Sequence, residues 1–200
     1  MPGLYAIKPW FVTRLRRAED VLAARRVSPD TVTLTGVVVA SLAAAAVVAG
    51  RIDDRIWLLV PPFALLRLAC NALDGSLARR TGVSRPAGAV LNEAADRYGD
   101  AVMIGATGII AGAGLAAAAV AAAFLCSWSG VLSQALTGSR STGGPMGKAD
   151  RIAVLAVAAG VAPWAGPRVF HVALVVIIAG ALVTVAVRTR VLVTTLGETR

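Results

Sequence analysis

From Ala101 to Ser139 the chain carries no charged residue. A helix crosses a bilayer with about 20 mostly apolar residues, and backbone inside hydrocarbon must satisfy its own hydrogen bonds. So long an uncharged run therefore folds as two crossing helices, and the "GAG" at Gly112–Gly114 is the expected hairpin. The same test finds apolar segments at Thr31–Gly50, Ile56–Ala78, Gly88–Gly112, Gly114–Leu136, Ile152–Trp164 with its flanks, and Val169–Val187. The apolar fraction is 57% and the mean hydropathy +0.74, well above soluble averages. The expectation is an all-α integral membrane protein of one domain, residues 1–200. Residues 1–30 form a juxtamembrane segment and residues 31–194 a bundle of six transmembrane helices. Lys8–Arg26 mixes Trp10, Phe11, Leu15, Val21 and Leu22 with basic residues, the pattern of an amphipathic helix lying in the interface. The N-terminus reaches charge before any long apolar core, so no cleavable leader is expected.

A net charge of +9 raises nucleic acid as a partner, but the basic residues cluster in loops. Sixteen fall on one side of the six-span arrangement. Only Arg51, Arg55 and Arg168 fall on the other, and Arg67 lies within a span. By the positive-inside rule both termini are cytoplasmic, in a multi-pass protein of the plasma (inner) membrane whose basic loops face anionic lipid. No nucleic acid partner is expected. Cys70 and Cys126 read as small buried hydrophobes. His171 reads as interface packing, Trp10, Trp57 and Trp164 as an aromatic belt, and Trp128 as packing within a span.

Against this background Asn71–Asp100, "NALDGSLARRTGVSRPAGAVLNEAADRYGD", gathers four of the eleven acids. Asn71 and Asp74, three apart, share one face of the second span, which Arg67 joins. Asn92, Asp96 and Asp100 stack along the third. A short loop makes the two spans antiparallel neighbours, so their polar faces can meet near the cytoplasmic end. Ionisable groups at such depth cost several kcal/mol unless paired or wetted, and by default mark functional sites. Asp100 is deepest, about 18 Å beyond Gly88 at 1.5 Å per residue. Oxygen donors converging from two helices suit a hard divalent cation that retains substrate phosphates as ligands. Arg79 and Arg85 suit phosphate oxygens, and Gly75 and Gly88 allow close backbone approach. For any single residue the alternative is an interfacial anchor, and Glu93–Arg97 has the spacing of an ordinary i,i+4 pair.

Asn71, Asp74, Gly75, Ala78, Arg79, Gly88, Asn92 and Asp96 stand at the spacings of D-x-x-D-G-x-x-A-R, eight residues, G-x-x-x-D-x-x-x-D. In this the chain resembles the CDP-alcohol phosphotransferase family. The six-span architecture, the juxtamembrane helix and the basic loop around Gly147–Lys148 are similar as well. The resemblance implies transfer of a phosphatidyl or similar phosphoalcohol group from a CDP-linked lipid donor to a small acceptor alcohol. CMP is released, in phospholipid biosynthesis. It implies one or two Mg²⁺ or Mn²⁺ ions, and a homodimer. Carried over residue by residue, Asp96 is the general base and a metal ligand, and Asp74 is a metal ligand. Gly75, Ala78, Arg79 and Gly88 contact the cytidine nucleotide, while Lys148 and Arg151 bind donor or acceptor phosphate beside Arg85, whose position alone suits it to phosphate.

The chain departs from that pattern at two of the four acids, Asn71 and Asn92. An amide oxygen ligates a metal but brings no charge, which weakens a two-metal site toward a single ion. Glu93 and Asp100 are the acids placed to restore charge. The alternative functions are a catalytically impaired relative that binds nucleotide or lipid, and a small transporter using Asp74, Asp96 and Asp100 as an ion path.

Overall fold

The computed structural model describes residues 13–83 and 85–198, in which every regular element is a helix. Lys8, Trp10 and Phe11 of the proposed amphipathic helix lie outside the described residues. Its remainder forms α1 (Arg16–Ala24). Leu15, Leu22, Ala23 and Val27 pack on a small cluster of Val32, Cys70, Leu73 and Leu77, and Asp20 pairs with Arg80.

Ser28 starts α2 (Pro29–Ala49): its hydroxyl accepts the Thr31 N–H at 3.1 Å, and Pro29 sits where no N–H is needed. "RIDDR" is a turn leading into a 3₁₀ segment, Asp54–Leu59, which Asp53 caps through the Arg55 N–H. It continues as α3 (Val60–Thr81), which stops at Gly82 in a left-handed conformation with φ of +66°. The charged stretch supplies α4 (Pro86–Ala106), followed by one turn, α5 (Gly108–Ala111). Gly112, at φ +92°, makes the expected hairpin into α6 (Ala113–Thr137). A polar loop leads to α7 (Lys148–Ala165), where the Asp150 carboxylate accepts the Gly147 N–H at 2.8 Å. The last helix, α8 (Arg168–Glu198), is one element. The tail predicted to leave the last span at Val187 instead continues it, because nothing in "RTRVLVTTL" breaks a helix.

Among the described residues, four helical stretches are long and apolar enough to cross a membrane: Pro29–Ala49, Asp54–Thr81, Ala113–Thr137 and Arg168–Gly197. The other two long helices, α4 and α7, carry Glu93, Asp96, Arg97 and Asp100, and Lys148, Asp150 and Arg151. Their charge is turned inward, with Asp96, Asp100 and Arg151 all buried.

Small residues hold the bundle. Ala40, Ala43, Ala119, Ala123, Ala159 and Ala181 are wholly buried, letting backbones approach as in membrane helix packing generally. Leu65, Val90, Val157, Val172 and Val193 face outward, a surface suited to lipid. Trp57 departs from the belt expectation: it is 4% exposed, donates to the Val47 carbonyl at 3.0 Å and meets Phe170 edge-on. Trp128 departs the other way, with 58% of its surface exposed. Trp164 and His171 are exposed, and both cysteines are free and buried.

The loop before α7 is tied to α8. Gly144, at φ +102°, lies on Thr184, whose side chain would be 2.5 Å from an added Cβ. The Thr184 hydroxyl accepts the Met146 N–H at 2.9 Å. Arg188 donates to the carbonyls of Gly143 and Cys126. Gly138, by contrast, has positive φ but open space around it. Gly138→Ala is expected to cost about 1–2 kcal/mol of left-handed strain, and Gly144→Ala clearly more. Thermal unfolding of the two variants in detergent measures the difference.

Candidate functional site

The site lies where the polar faces of α3 and α4 look at one another, but these helices do not touch as direct neighbours. Each packs extensively on α2, and their backbones make almost no contact with each other. The expected antiparallel contact is instead a cleft between them, bridged by side chains and bordered by α7, which packs on α3.

Arg67 spans the cleft. It is 1% exposed; Nη1 donates to Asn71 Oδ1, and Nη2 donates to the Ala95 carbonyl at 3.0 Å and to Asp96 Oδ1 at 3.2 Å. Two glycines make its socket. A Cβ at Gly36 on α2 would lie 2.5 Å from Nη1, and one at Gly99 on α4 would lie 3.1 Å from Nη2. Asp96 receives a second cation on its other oxygen, from Lys148 Nζ at 2.7 Å. Asp74, 4% exposed, accepts from the Thr33 hydroxyl at 2.9 Å and from the Gly75 N–H at 2.6 Å. The Asn92 side-chain oxygen and the Asn71 side-chain nitrogen are buried without hydrogen-bond partners.

One layer deeper, Asp100 pairs with Arg151 at 2.6 Å, with side chains 3% and 1% exposed. Arg151 also donates to Ser127 at 3.2 Å and to the Met146 carbonyl. Glu93 sits between Arg97 and Arg140 and accepts from both. Arg85 pairs with Asp30 at 2.9 Å on the exposed rim, and Gly88 lies close by that same Asp30. Arg79 is exposed, with its guanidinium over Gly75, and Ala78 shares that helical turn.

The structure thus gathers Asn71, Asp74, Asp96 and Lys148 around one cleft, with Gly75, Ala78 and Arg79 on the same helix. Three expectations change. Glu93 is an arginine partner rather than a third cleft acid, since its i,i+4 relation to Arg97 and its reach to Arg140 draw it aside. Asp100 is neutralised by Arg151. Arg151, fully enclosed, links α4, α6 and α7 instead of reaching a phosphate. No three His, Cys, Asp or Glu side chains among the described residues form a metal-binding group. The role of Arg67 was missed, although its position seven residues before Asp74 put it on the right face. Thr33 and Ser127 had no signal beyond being polar in apolar spans.

The donor set fits one divalent ion. Asp74 and Asp96 contribute hard carboxylate oxygens, and Asn92 contributes an amide oxygen that is buried and unpartnered. With Asn71 and Asn92 at two of the four acidic motif positions, the set brings two carboxylates, the charge of a single divalent ion.

Breaking the Asp100–Arg151 pair on one side strands a buried charge, at about 3–5 kcal/mol. Arg151→Met or Asp100→Asn should therefore lower stability sharply, and the double variant Asp100→Leu, Arg151→Met should recover most of it. Thermal denaturation of the purified variants reads this directly.

No protein-family model matches the chain. Individual relatives do. It is 32% identical over 150 residues to the inner membrane protein YnbA of Escherichia coli K12, covering 74% of each chain. It is 38% identical over 139 residues to a bifunctional IPC transferase and DIPP synthase of Rubrobacter xylanophilus, covering 65% of this chain and 30% of that protein. The fold is shared with the phosphatidylinositol phosphate synthase PgsA1 of Mycobacterium tuberculosis. With CDP-DAG bound, that enzyme superposes with a TM-score of 0.70 at 20% identity, over 88% of this chain and 92% of its own. With manganese and citrate, the TM-score is 0.73 at 20% identity, over 89% and 88%. With these likenesses and the motif-bearing cleft between α3 and α4, the chain belongs to the CDP-alcohol phosphotransferase family.

Proposed function

We propose that the protein is a membrane transferase that moves a phosphatidyl or similar phosphoalcohol group from a CDP-linked lipid to a small acceptor alcohol, releasing CMP. The observation that carries this reading is that Asp74 on α3 and Asp96 on α4 are both buried and within reach of the same Lys148 charge, with the motif residues Gly75, Ala78, Arg79 and Gly88 between them in sequence. PgsA1, which shares the fold, is known with CDP-DAG bound and in complex with manganese. These support the donor class and a divalent metal, Mg²⁺ or Mn²⁺.

In this reading Gly75, Ala78, Arg79 and Gly88 cradle the cytidine nucleotide. Arg79 and Lys148 meet its phosphates, and Arg85 stands at the rim. Asp74, Asp96 and Asn92 hold one divalent ion, which when bound offsets charge developing on the leaving phosphate. Arg67 and Lys148 hold the Asp96 carboxylate in place in the cleft, and it takes the acceptor hydroxyl's proton as the new phosphodiester bond forms. The P–O bond to CMP breaks, and CMP departs with that oxygen's electron pair. The buried pair of Asp100 and Arg151 fixes α7 against α4 and so aligns Lys148 with Asp96.

The topology proposed with it has six spans. The two charged helices α4 and α7 cross alongside the four apolar ones, α1 lies in the interface, both termini and the cleft are cytoplasmic, and the protein works as a homodimer in the inner membrane. Its basic loops then meet anionic lipid head groups.

The test is CMP release from CDP-diacylglycerol by the purified protein across a panel of acceptor alcohols and alcohol phosphates, with Mg²⁺ or Mn²⁺. Wild type should release CMP, chelation should stop it, and Asp96→Asn should lower it by a factor of about 10² or more while the protein still elutes as a folded species. Full activity in Asp96→Asn would sink the assignment. The pairing of both Asp96 oxygens with Arg67 and Lys148 gives a second reading its support, a nucleotide-binding relative without turnover. CDP binding with no CMP released from any acceptor would select it.

A further inference from the structure

The acids of the cleft and of the layer beneath it already stand among cations of the protein. Asp74, Asp96 and Asp100 stand against Arg67, Lys148 and Arg151, with Asp96 in contact with two of the cations and Asp100 with the third. Asn71 and Asn92, which could have been carboxylates by size, add no charge. A divalent ion entering this cleft alone would add two positive charges beside Arg67 and Lys148, in surroundings where unbalanced charge is costly. A ligand that brings a diphosphate carries the missing negative charge.

Arg67 is no accidental visitor to this place. Its guanidinium fills a socket cleared by Gly36 and Gly99 from two different helices, and it donates to Asn71, Ala95 and Asp96 at once. Its fixed charge lies between the two helices that bear the metal donors. Arginine does not lose that charge in proteins.

We infer that Arg67 is a resident cation that neutralises Asp96, so that the single divalent ion binds together with the diphosphate of its ligand rather than before it. The inference rests on the transferase reading for the choice of ligand class. Arg67 is then a positioning residue, acting through Asp96 and Asn71 on the metal, and the metal and the diphosphate raise each other's affinity. By thermodynamic linkage the two enhancements must be equal.

The experiment titrates Mn²⁺ into the full-length protein in detergent, followed by electron paramagnetic resonance of the free ion, with and without saturating CDP. Titrations are corrected for the binding of Mn²⁺ to CDP itself. Wild type should bind one ion per chain, with an affinity at least about tenfold higher when CDP is present, within the usual range of coupling between sites. Asn92→Asp replaces an unpartnered amide oxygen with a charged one of the same shape, and should tighten CDP-free Mn²⁺ binding and shrink the enhancement. Arg67→Met should shift both in the same direction. If that variant does not fold, Asn92→Asp decides alone. Equal Mn²⁺ affinity with and without CDP, two tight ions in wild type, no bound ion at all, or an unchanged enhancement in Asn92→Asp would each overturn the inference. CMP release is scored separately. Its absence with the coupling intact would defeat the transferase reading only, and its presence without coupling would defeat this inference only.

Discussion

A guanidinium enclosed between two helices that barely touch is the constraint on which the rest of this structure depends. Without Arg67, α3 and α4 would face each other across a polar cleft with Asp96 tied to a single cation and Asn71 to none of the partners described. With it, three oxygens from two helices are bound to one planar group. Planarity and the number of donors make arginine suited to this place where lysine is not. The two helices are thus kept in register by a side chain rather than by mutual packing.

A second tier of the same design lies beneath. Arg151 joins α7 to α4 through Asp100 and to α6 through Ser127, while Arg188 and Thr184 hold the preceding loop against α8. Lys148, the first residue of α7, is thereby delivered to Asp96 from the opposite side of the cleft. The two helices too charged to pass as ordinary spans are those whose charges meet in the interior. Their polarity reflects the site they carry.

The sequence made much of this legible because hydrocarbon imposes periodicity and length. The apolar segments, the Gly112 hairpin and the face shared by Asn71 and Asp74 follow from helical geometry alone. The motif spacing located the residues that line the cleft. What stayed hidden was pairing. Helical spacing tells which residues share a face, but not which cation across the bundle claims which acid. Asp100 and Glu93 stood on plausible faces and were nonetheless taken by Arg151 and by Arg97 with Arg140. Trp57 and Trp128 illustrate the same limit for packing: position along a span does not say which way a ring points, and one proved buried while the other faces outward.

The Arg67 socket also bears on how such a chain changes over time. Gly36, Arg67 and Gly99 come from three helices, yet the guanidinium is pinned by its hydrogen bonds and cannot swing away to admit a methyl group at position 36. The three positions therefore form one inherited unit. A descendant that loses the arginine frees both glycines to become larger, and a descendant that first enlarges Gly36 has closed the socket, after which the arginine cannot easily return. The order of those steps makes the change behave like a ratchet.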